Sequence, residues 1–461
     1  MAAIRRVSLK PRTKYWKFET LSLDHATAER QLNQWQGQGI DAIEIFAPAR
    51  GGNSYDGLDA IHSYQLEADE SLDDLRWVIR KAHDLGMPVI AFENLGYSSI
   101  YSHQFLKACD DIRASRNTRE TRMFFWSKSG GAPAPASSNS YFFVRPSRPN
   151  HDASTTEFWQ WDERCHSFYW TRWPGKDKDG NVIHLPQYNW ADDAWPTEAE
   201  RVVRFWMNVG FDGMVIDAVN WYVGYNWEKG NRSITQPIAG YGDTFSQPEG
   251  AGAFHTDDPV GWITEGHWTN LQDYGLGIWW EKDNHPLVES IEKGDPRIFE
   301  TALRGYHDRV VAAGGTLYAT VPQLHDEPRQ TLAEALLATS GDLVCYCSFA
   351  GELTNPAPAI SALLKMRRRH AALYQDSLRR QIPTQDDSRF YAILRSSHDR
   401  SERILVVFNF QSTQQTVKVD LGALDGHKFL DLSESAPVGH PGGSVLSESV
   451  PAYGFRLFLV R

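Results

Sequence analysis

Apolar and polar positions alternate in two different ways along this chain, and the change falls near residue 381. Before it, short apolar runs are separated by stretches with apolar residues at helical spacing, which is the pattern of repeated strand–helix units. The run Ala42–Phe46 and residues 87–92 predict buried parallel strands, and residues 72–82 between them predict a helix that ends at Gly86. After it, period-two runs predict antiparallel strands.

The strand–helix rhythm breaks between Gly96 and about Trp195, where a Gly/Pro/Ser-rich stretch is followed by scattered aromatic residues. We interpret this segment as an excursion between a barrel strand and the next helix. The predicted fold is therefore α/β: a (β/α)8 TIM barrel with an excursion after strand 3 and a C-terminal antiparallel β-sandwich. The predicted boundaries are 1–96 and 196–380 for the barrel, 97–195 for the excursion and 381–461 for the sandwich.

In the second half of the barrel the sequence predicts a helix opened by Pro196 and a strand at 213–218. A Gly-rich loop is expected from about 223 to 259, and the run VGWITE at 260–265 is expected to form the next strand. Further strands are predicted in TLYATVPQL and DLVCYCSF.

Composition narrows the class of protein. The formal net charge of -11 argues against a nucleic-acid surface, and no apolar run is long enough for a membrane span. The N-terminal residues are basic without a following apolar run, so no secretory signal is expected. Four cysteines without a zinc spacing predict neither a disulfide framework nor a metal site, and favour a cytoplasmic protein. Oligomeric state is left open.

Three acidic residues follow predicted barrel strands: Asp217, Glu265 and Asp326. In α/β barrels the carboxyl ends of the strands meet at the active site, so acids on three separate strands favour a catalytic group over solvated surface residues. Glycoside cleavage uses such a set, with one carboxylate as nucleophile and a second carboxyl as proton donor. The abundance of aromatic residues, including 17 Trp, is also typical of sugar sites.

The run GFDGMVIDAVNWY resembles the strand-four motif of the α-amylase superfamily, glycoside hydrolase family 13, and LHDEPR resembles its strand-seven motif. LPQYNWADDAWPTEAERVVRFWMNVGFDG is similar to the stretch before strand four in oligo-1,6-glucosidases, trehalose synthases and sucrose isomerases. The resemblance implies a retaining enzyme acting on small α-glucosides from the non-reducing end, by hydrolysis, transfer or isomerisation. It implies Asp217 as nucleophile, Glu265 as general acid/base and Asp326 as transition-state stabiliser.

The same resemblance implies that the substrate is contacted by four further residues: His325, Arg329, Tyr55 and Asp56. Two departures are important. The family arginine two residues before the nucleophile is Val215, so a cation from elsewhere is expected near Asp217. Tyr97 takes the place of the strand-three histidine. The early calcium-binding loop of many relatives is also missing, so no calcium or other cofactor is expected.

Two hypotheses follow from different classes of protein. The first is an active retaining α-glycosidase, which is favoured because buried unpaired carboxylates have no structural benefit. The second is a catalytically inactive binding or scaffold protein on the same fold, which the lost motif residues support. Hydrolysis of a nitrophenyl α-glucoside separates the two.

Overall fold

The computed structural model describes residues 1–10, 18–52, 54–129, 159–171, 173–176, 182–252, 258–277, 285–347, 355–432, 436–438 and 444–461. Its main sheet has eight parallel strands that follow one another around a barrel in chain order. The barrel strands are β1 (Ala3–Ser8), β2 (Ala42–Phe46), β3 (Val89–Glu93), β4 (Gly213–Ile216), β5 (Phe245–Pro248), β6 (Asn270–Gln272), β7 (Thr316–Thr320) and β8 (Leu343–Tyr346). The Thr269 N–H donates to the Ser246 carbonyl at 3.3 Å, which brings the start of β6 beside β5. The predicted fold class is confirmed.

Helices connect these strands as the apolar spacing predicts. The best-formed example is Leu72–Asp84, where the Ser71 side chain caps the first turn and the buried face is formed by Leu75, Val78, Ile79 and Ala82. The α-helices are His25–Gly37, Leu72–Asp84, His103–Arg113, Arg119–Arg122, Ala194–Val209, Trp227–Ala239, Pro259–Thr264, Pro286–Lys293, Pro296–Ala302, Asp308–Ala312, Glu327–Ser340 and Pro358–Arg367.

The described chain forms two compact units. One comprises 6–32 and 43–272, and it contains β3 to β6, β2 except Ala42, the second half of β1 and the excursion. The excursion contributes the short strands Trp126–Ser127, Trp159–Asp162, Ser167–Trp170, Trp173–Lys176 and Val182–Leu185. Smaller strands of this unit are Glu19–Thr20, Arg50–Gly51 and Ala60–His62.

The other unit comprises 1–5, 33–42 and 273–461. It contains β7, β8 and a C-terminal antiparallel region with a six-stranded sheet and a two-stranded ribbon, which share an apolar core. Its strands are Leu378–Gln381, Phe390–Ser396, Arg403–Asn409, Gln415–Asp420, Phe429–Asp431, Ala436–Val438, Val445–Val450 and Phe455–Val460.

The sequence prediction is wrong between 223 and 265. The expected Gly-rich loop contains the helix Trp227–Ala239 and the strand β5. The expected strand VGWITE is instead the helix Pro259–Thr264. The reason is local, since Asp258 accepts the Val260 N–H at 3.2 Å and Pro259 stands at the first helical position, which together begin a helix. Glu265 therefore follows a helix and ends no barrel strand.

β4 and β5 approach closely because β4 begins at a glycine. Gly213 pairs with Phe245, and a Cβ at this position would lie 2.0 Å from the Phe245 carbonyl oxygen. The parallel register continues to Ile216 opposite Pro248. The residues that follow the two strands, Asp217 and Glu249, are consequently neighbours.

Candidate active site

Asp217 and Glu249 form the center of the candidate site, one after β4 and the other after β5. The Asp217 N–H donates to the Glu93 carbonyl at 2.8 Å, and the Glu249 N–H donates to the Ile216 carbonyl at 2.9 Å. The sheet hydrogen bonding thus continues one residue beyond each strand. Both residues are only 8% exposed. Two acids are therefore held at neighbouring strand ends with very little access to water.

The two carboxyl groups influence each other's pKa directly. Burial raises the pKa of Asp217 well above its ordinary value, and the negative charge of Glu249 raises it further. Burial also raises the pKa of Glu249. Two buried carboxyls in contact do not both ionise readily, so the pair retains one shared proton at pH values where isolated carboxyls have lost theirs. One ionised and one protonated carboxyl is the state that acid–nucleophile chemistry requires.

Two backbone contacts hold this pair in place. Ala218 has a left-handed backbone with φ of 48°, and its N–H donates to Glu249 Oε2 at 3.2 Å. A positive φ is uncommon for alanine and is found where the surroundings hold it. The Tyr222 hydroxyl donates to the Asp217 carbonyl oxygen at 2.9 Å, and its ring packs against Gly96 and Trp190. The turn after β4 is therefore fixed from both sides.

Tyr97 contacts the candidate nucleophile directly. Its hydroxyl donates to Asp217 Oδ2 at 3.3 Å, and this hydrogen bond lowers the Asp217 pKa. The Tyr97 ring lies 6.0 Å from the ring of Tyr55. The structure thus brings the predicted Tyr55 and Tyr97 into the same cluster as Asp217. The side chain of Asp56 lies outside the described residues, so its predicted substrate contact stays a prediction.

One buried cation acts on both Asp217 and Glu249. Arg6 in β1 is 3% exposed, forms an ion pair with Glu44 of β2, and lowers the pKa of both Asp217 and Glu249 through its positive charge. A cation near Asp217 was expected from the loss of the arginine at position 215, and Arg6 is a candidate because its charge acts on Asp217.

Two further buried acids lie in this unit. Burial raises the pKa of Asp59 to about 7 and the pKa of Glu93, the last residue of β3, to about 8. The Asp59 carboxylate accepts the Ser54 N–H at 2.9 Å, and the Glu93 carboxyl accepts the Ala49 N–H at 3.0 Å. These contacts hold the loops after β2, which include the turn Tyr55–Gly57.

The remaining predicted residues belong to the unit that contains β7. Asp326 caps the helix Glu327–Ser340, where its side chain accepts the Arg329 N–H at 2.9 Å and forms an ion pair with the guanidinium. Arg329 also donates to the Tyr453 hydroxyl at 2.8 Å. His325 is exposed. The substrate-contacting roles of His325, Asp326 and Arg329 stay predictions.

Sequence reasoning missed Glu249 and selected Glu265 instead. The strand FSQP that precedes Glu249 has two polar residues and a proline, which disfavour a central strand. Proline is tolerated here because it stands last in the strand. The signal that was available is the Asp258–Pro259 helix start, which moves the fifth strand upstream and makes Glu249 the acid that directly follows it.

Cys109 and Cys165 form a disulfide that joins the helix His103–Arg113 to the excursion strands. The prediction that the cysteines provide no disulfide is therefore wrong for this pair, and the cysteine argument for a reducing compartment is lost with it. Asp162 lies beside these sulfurs but is bound by the Arg164 guanidinium. None of the helices in the described ranges is long and apolar enough to cross a membrane.

The fold and the site define a class: a (β/α)8 barrel with paired carboxyls after strands four and five and a C-terminal antiparallel domain. Comparison with known families agrees. The family "Alpha amylase, catalytic domain" matches residues 67–259, and "Maltogenic Amylase, C-terminal domain" matches residues 380–457. These two matches support the α-amylase superfamily, glycoside hydrolase family 13, as the family that the chain resembles.

Individual relatives are distant. An α-glucosidase from Pediococcus pentosaceus is 24% identical over 183 residues, which is 40% of this chain and 28% of the relative. An α-glucosidase from Schizosaccharomyces pombe is 24% identical over 155 residues, 32% of this chain and 23% of the relative. The alignments thus span about a quarter of the length of these curated relatives.

Solved structures share the fold along the whole chain. Eubacterium rectale Amy13B has a TM-score of 0.72 at 13% identity, covering 100% of this chain and 95% of its own. The trehalose-6-phosphate hydrolase of Bacillus licheniformis has a TM-score of 0.68 at 14% identity, covering 100% and 99%. At these identities the similarity shows the fold alone.

Proposed function

We propose that this protein is a retaining α-glucosidase-like hydrolase that acts on small α-glucosides. The observation that carries the proposal is the contact between two buried carboxyls, Asp217 and Glu249, at the ends of adjacent barrel strands. The names of the relatives support the substrate class, since two of them are α-glucosidases and one structural neighbour is a trehalose-6-phosphate hydrolase.

In this proposal Asp217 is the nucleophile and Glu249, in place of Glu265, is the general acid/base. The interaction of the two carboxyls raises the pKa of Asp217 and lowers that of Glu249, so the proposal requires the shared proton to move to Glu249 when substrate binds. The Asp217 carboxylate attacks the anomeric carbon while the bond to the leaving oxygen breaks, and Glu249 gives its proton to that oxygen. This yields a covalent glycosyl ester on Asp217. Glu249, now ionised, takes a proton from water as the water oxygen attacks the anomeric carbon, which restores both carboxyls and retains the anomeric configuration.

The separation of the two carboxyls matters for substrate binding. Retaining glycosidases place the two carboxyls about 5 to 5.5 Å apart, so that the anomeric carbon and the leaving oxygen fit between them. In the complex with a sugar, the proposal therefore expects Asp217 and Glu249 at this separation. Tyr97 and the Arg6 charge both lower the Asp217 pKa, and so favour the ionised nucleophile in that complex.

The proposal includes three predicted substrate contacts from the other unit: His325, Asp326 and Arg329. Asp326 is assigned as the third acid, which stabilises the charge that develops on the sugar. It also includes the expectation that no calcium or other cofactor is needed. Transfer to an acceptor sugar, or isomerisation, would use the same glycosyl ester with a different acceptor in place of water.

A single comparison of four proteins tests the proposal: the wild type, Asp217→Asn, Glu249→Gln and Glu265→Gln. With nitrophenyl α-glucoside and a panel of α-linked disaccharides, we expect Asp217→Asn and Glu249→Gln to lower kcat/KM by at least about 100-fold, the lower end of what acid–base catalysis contributes. Glu265→Gln is the matched control and should stay within about twofold of the wild type, because surface substitutions have small effects.

NMR of the first product formed shows whether the α-anomer is retained. Hydrolysis that is equal in the wild type and in Asp217→Asn would contradict the proposal and favour the inactive binding protein. A large loss in Glu265→Gln with none in Glu249→Gln would restore the acid that the sequence first indicated.

A further inference from the structure

Position 215 lacks the arginine that the family places beside the nucleophile. Val215 lies in β4 two residues before Asp217 and is completely buried, and strand alternation puts both side chains on the same face. Its register partner in β3 is Phe92. The space around Val215 and Phe92 is therefore where a substitute for the missing cation has to lie.

Arg6 reaches this space from β1. Its guanidinium lies 4.8 Å from the center of the Phe92 ring and forms an ion pair with Glu44 of β2. Arg6 is 3% exposed and Glu44 is completely buried. The neighbouring Arg5 is also buried but donates to Asn355 at 2.7 Å, a residue of its own unit. Two adjacent arginines of one strand thus have different partners.

We propose that Arg6, held by Glu44 and the Phe92 ring, is the positioning residue that supplies positive charge to the Asp217 site in place of the arginine missing at 215. The inference rests on the proposed role of Asp217 as nucleophile. It adds that the cation comes from the first barrel strand and that it is paired with a negative charge, the carboxylate of Glu44.

The counter-charge explains how a cation is accommodated inside the barrel. A buried arginine without a partner loses its hydration without compensation, whereas the ion pair with Glu44 compensates Arg6 and leaves a smaller net field. The remaining field still favours ionisation of the two carboxyls. The Arg6 charge lowers the pKa of both Asp217 and Glu249, while the Glu44 charge raises the pKa of Glu249 by a smaller amount. The other groups that act on this pair are Tyr97 and the Ala218 N–H, and Tyr222 bonds the Asp217 carbonyl.

The test removes the charge pair together, so that no isolated charge is left in the barrel. In Arg6→Met/Glu44→Gln we expect the acid limb of the kcat/KM profile to move to higher pH by about one unit, with about a tenfold fall in kcat/KM on that limb. Arg6→Lys keeps the charge and should move the limb less. Arg5→Met removes a buried arginine from the same strand and should leave the limb in place.

Infrared difference spectroscopy gives a readout that does not need activity. The carboxyl band that disappears in Asp217→Asn identifies the nucleophile, and its titration midpoint should rise in Arg6→Met/Glu44→Gln. If the wild type does not hydrolyse α-glucosides but this midpoint rises, the proposed function fails and the role of Arg6 stands. A midpoint and acid limb that stay unchanged in the folded double variant, or that move equally in Arg5→Met, would overturn the inference.

Discussion

Asp217 and Asp326 are both aspartates that follow the carboxyl end of a barrel strand, yet their surroundings differ in every respect that affects charge. Asp217 is 8% exposed, contacts another carboxyl and has a pKa raised well above the ordinary value, first by burial. The Asp326 side chain is 37% exposed, and its pKa is lowered by the Arg329 N–H and guanidinium. Position after a strand thus identifies candidate acids, while burial and partners decide what each acid can do.

The difference concerns how each negative charge is compensated. The charge of Asp326 is compensated by Arg329, three residues later in the chain, and this spacing is visible in the sequence. Asp217 is compensated by a shared proton, by a tyrosine hydroxyl and by an arginine from another strand. The first arrangement is typical of a helix cap, and the second is typical of a catalytic carboxyl.

The largest effect in this comparison is expected from the substitution Asp326→Asn. Asparagine is as good a helix N-cap as aspartate, so the substitution removes the charge and keeps the cap. If Asp326 is the third acid, kcat/KM falls by about 100-fold, as for the loss of one electrostatic contact to a transition state. Circular dichroism should show an unchanged fold. Full activity in Asp326→Asn would make this residue a structural cap and end its catalytic assignment.

A smaller effect is expected from Tyr97→Phe, which removes one hydrogen bond to the nucleophile. A hydrogen bond to a charged group contributes about 1.5 to 3 kcal/mol, and at 3.3 Å the lower value applies, so kcat/KM should fall about tenfold. Because this bond lowers the Asp217 pKa, the acid limb should also move to higher pH.

Tyr222→Phe is the matched control for this experiment. The Tyr222 hydroxyl donates to the Asp217 main-chain carbonyl and not to the carboxylate, so its removal should affect the acid limb less. A larger shift of the limb in Tyr222→Phe than in Tyr97→Phe would show that backbone placement, and not the hydrogen bond to the carboxylate, controls the nucleophile.

A third test uses stability. A carboxyl whose folded pKa is raised binds a proton more tightly in the folded chain than in the unfolded chain, so its contribution to stability declines as the pH rises above the unfolded pKa. Asp217→Asn removes this penalty. We expect the variant to be more stable than the wild type at pH 8, by on the order of 1 kcal/mol, with the difference shrinking toward pH 4.

Urea unfolding at several pH values measures this difference. Asp326 has a lowered pKa, so its contribution to stability has the opposite sign: it is present above the unfolded pKa and is lost as the pH falls. Asp326→Asn should therefore gain nothing at pH 8. A gain of equal size in both variants would erase the contrast between the two acids.

Sequence reasoning succeeded where the local pattern and the fold agree. The largely apolar run of β2, the apolar run of β4 and the capped helix Leu72–Asp84 were predicted because burial on both faces leaves few alternatives to a parallel strand. Asp217 followed directly from the end of β4. The C-terminal antiparallel region followed from its period-two alternation.

It failed where a residue's role depends on distant partners. β5 is four residues long and reads FSQP, so its strand state comes from pairing with β4 and not from its own propensity. Arg6 and Glu44 look like two unrelated charges in the sequence, and only the barrel brings β1 and β2 together. The Cys109–Cys165 pair, 56 residues apart, depends likewise on how the excursion folds.

The smallest expected effect is that of chelators, and it tests how the negative charge of the buried pair is compensated. A metal ion is a third way to stabilise a carboxylate, besides the proton and the arginine. Because the Arg6 charge and a shared proton already act on Asp217 and Glu249, we expect activity to stay within about twofold after dialysis against EDTA, and thermal unfolding to be unchanged. Adding Ca²⁺ back should have no effect. A loss of activity that Ca²⁺ restores would mean that an ion, and not only side chains, maintains the site. The comparison of Asp217 with Asp326 would then have to include the charge of that ion.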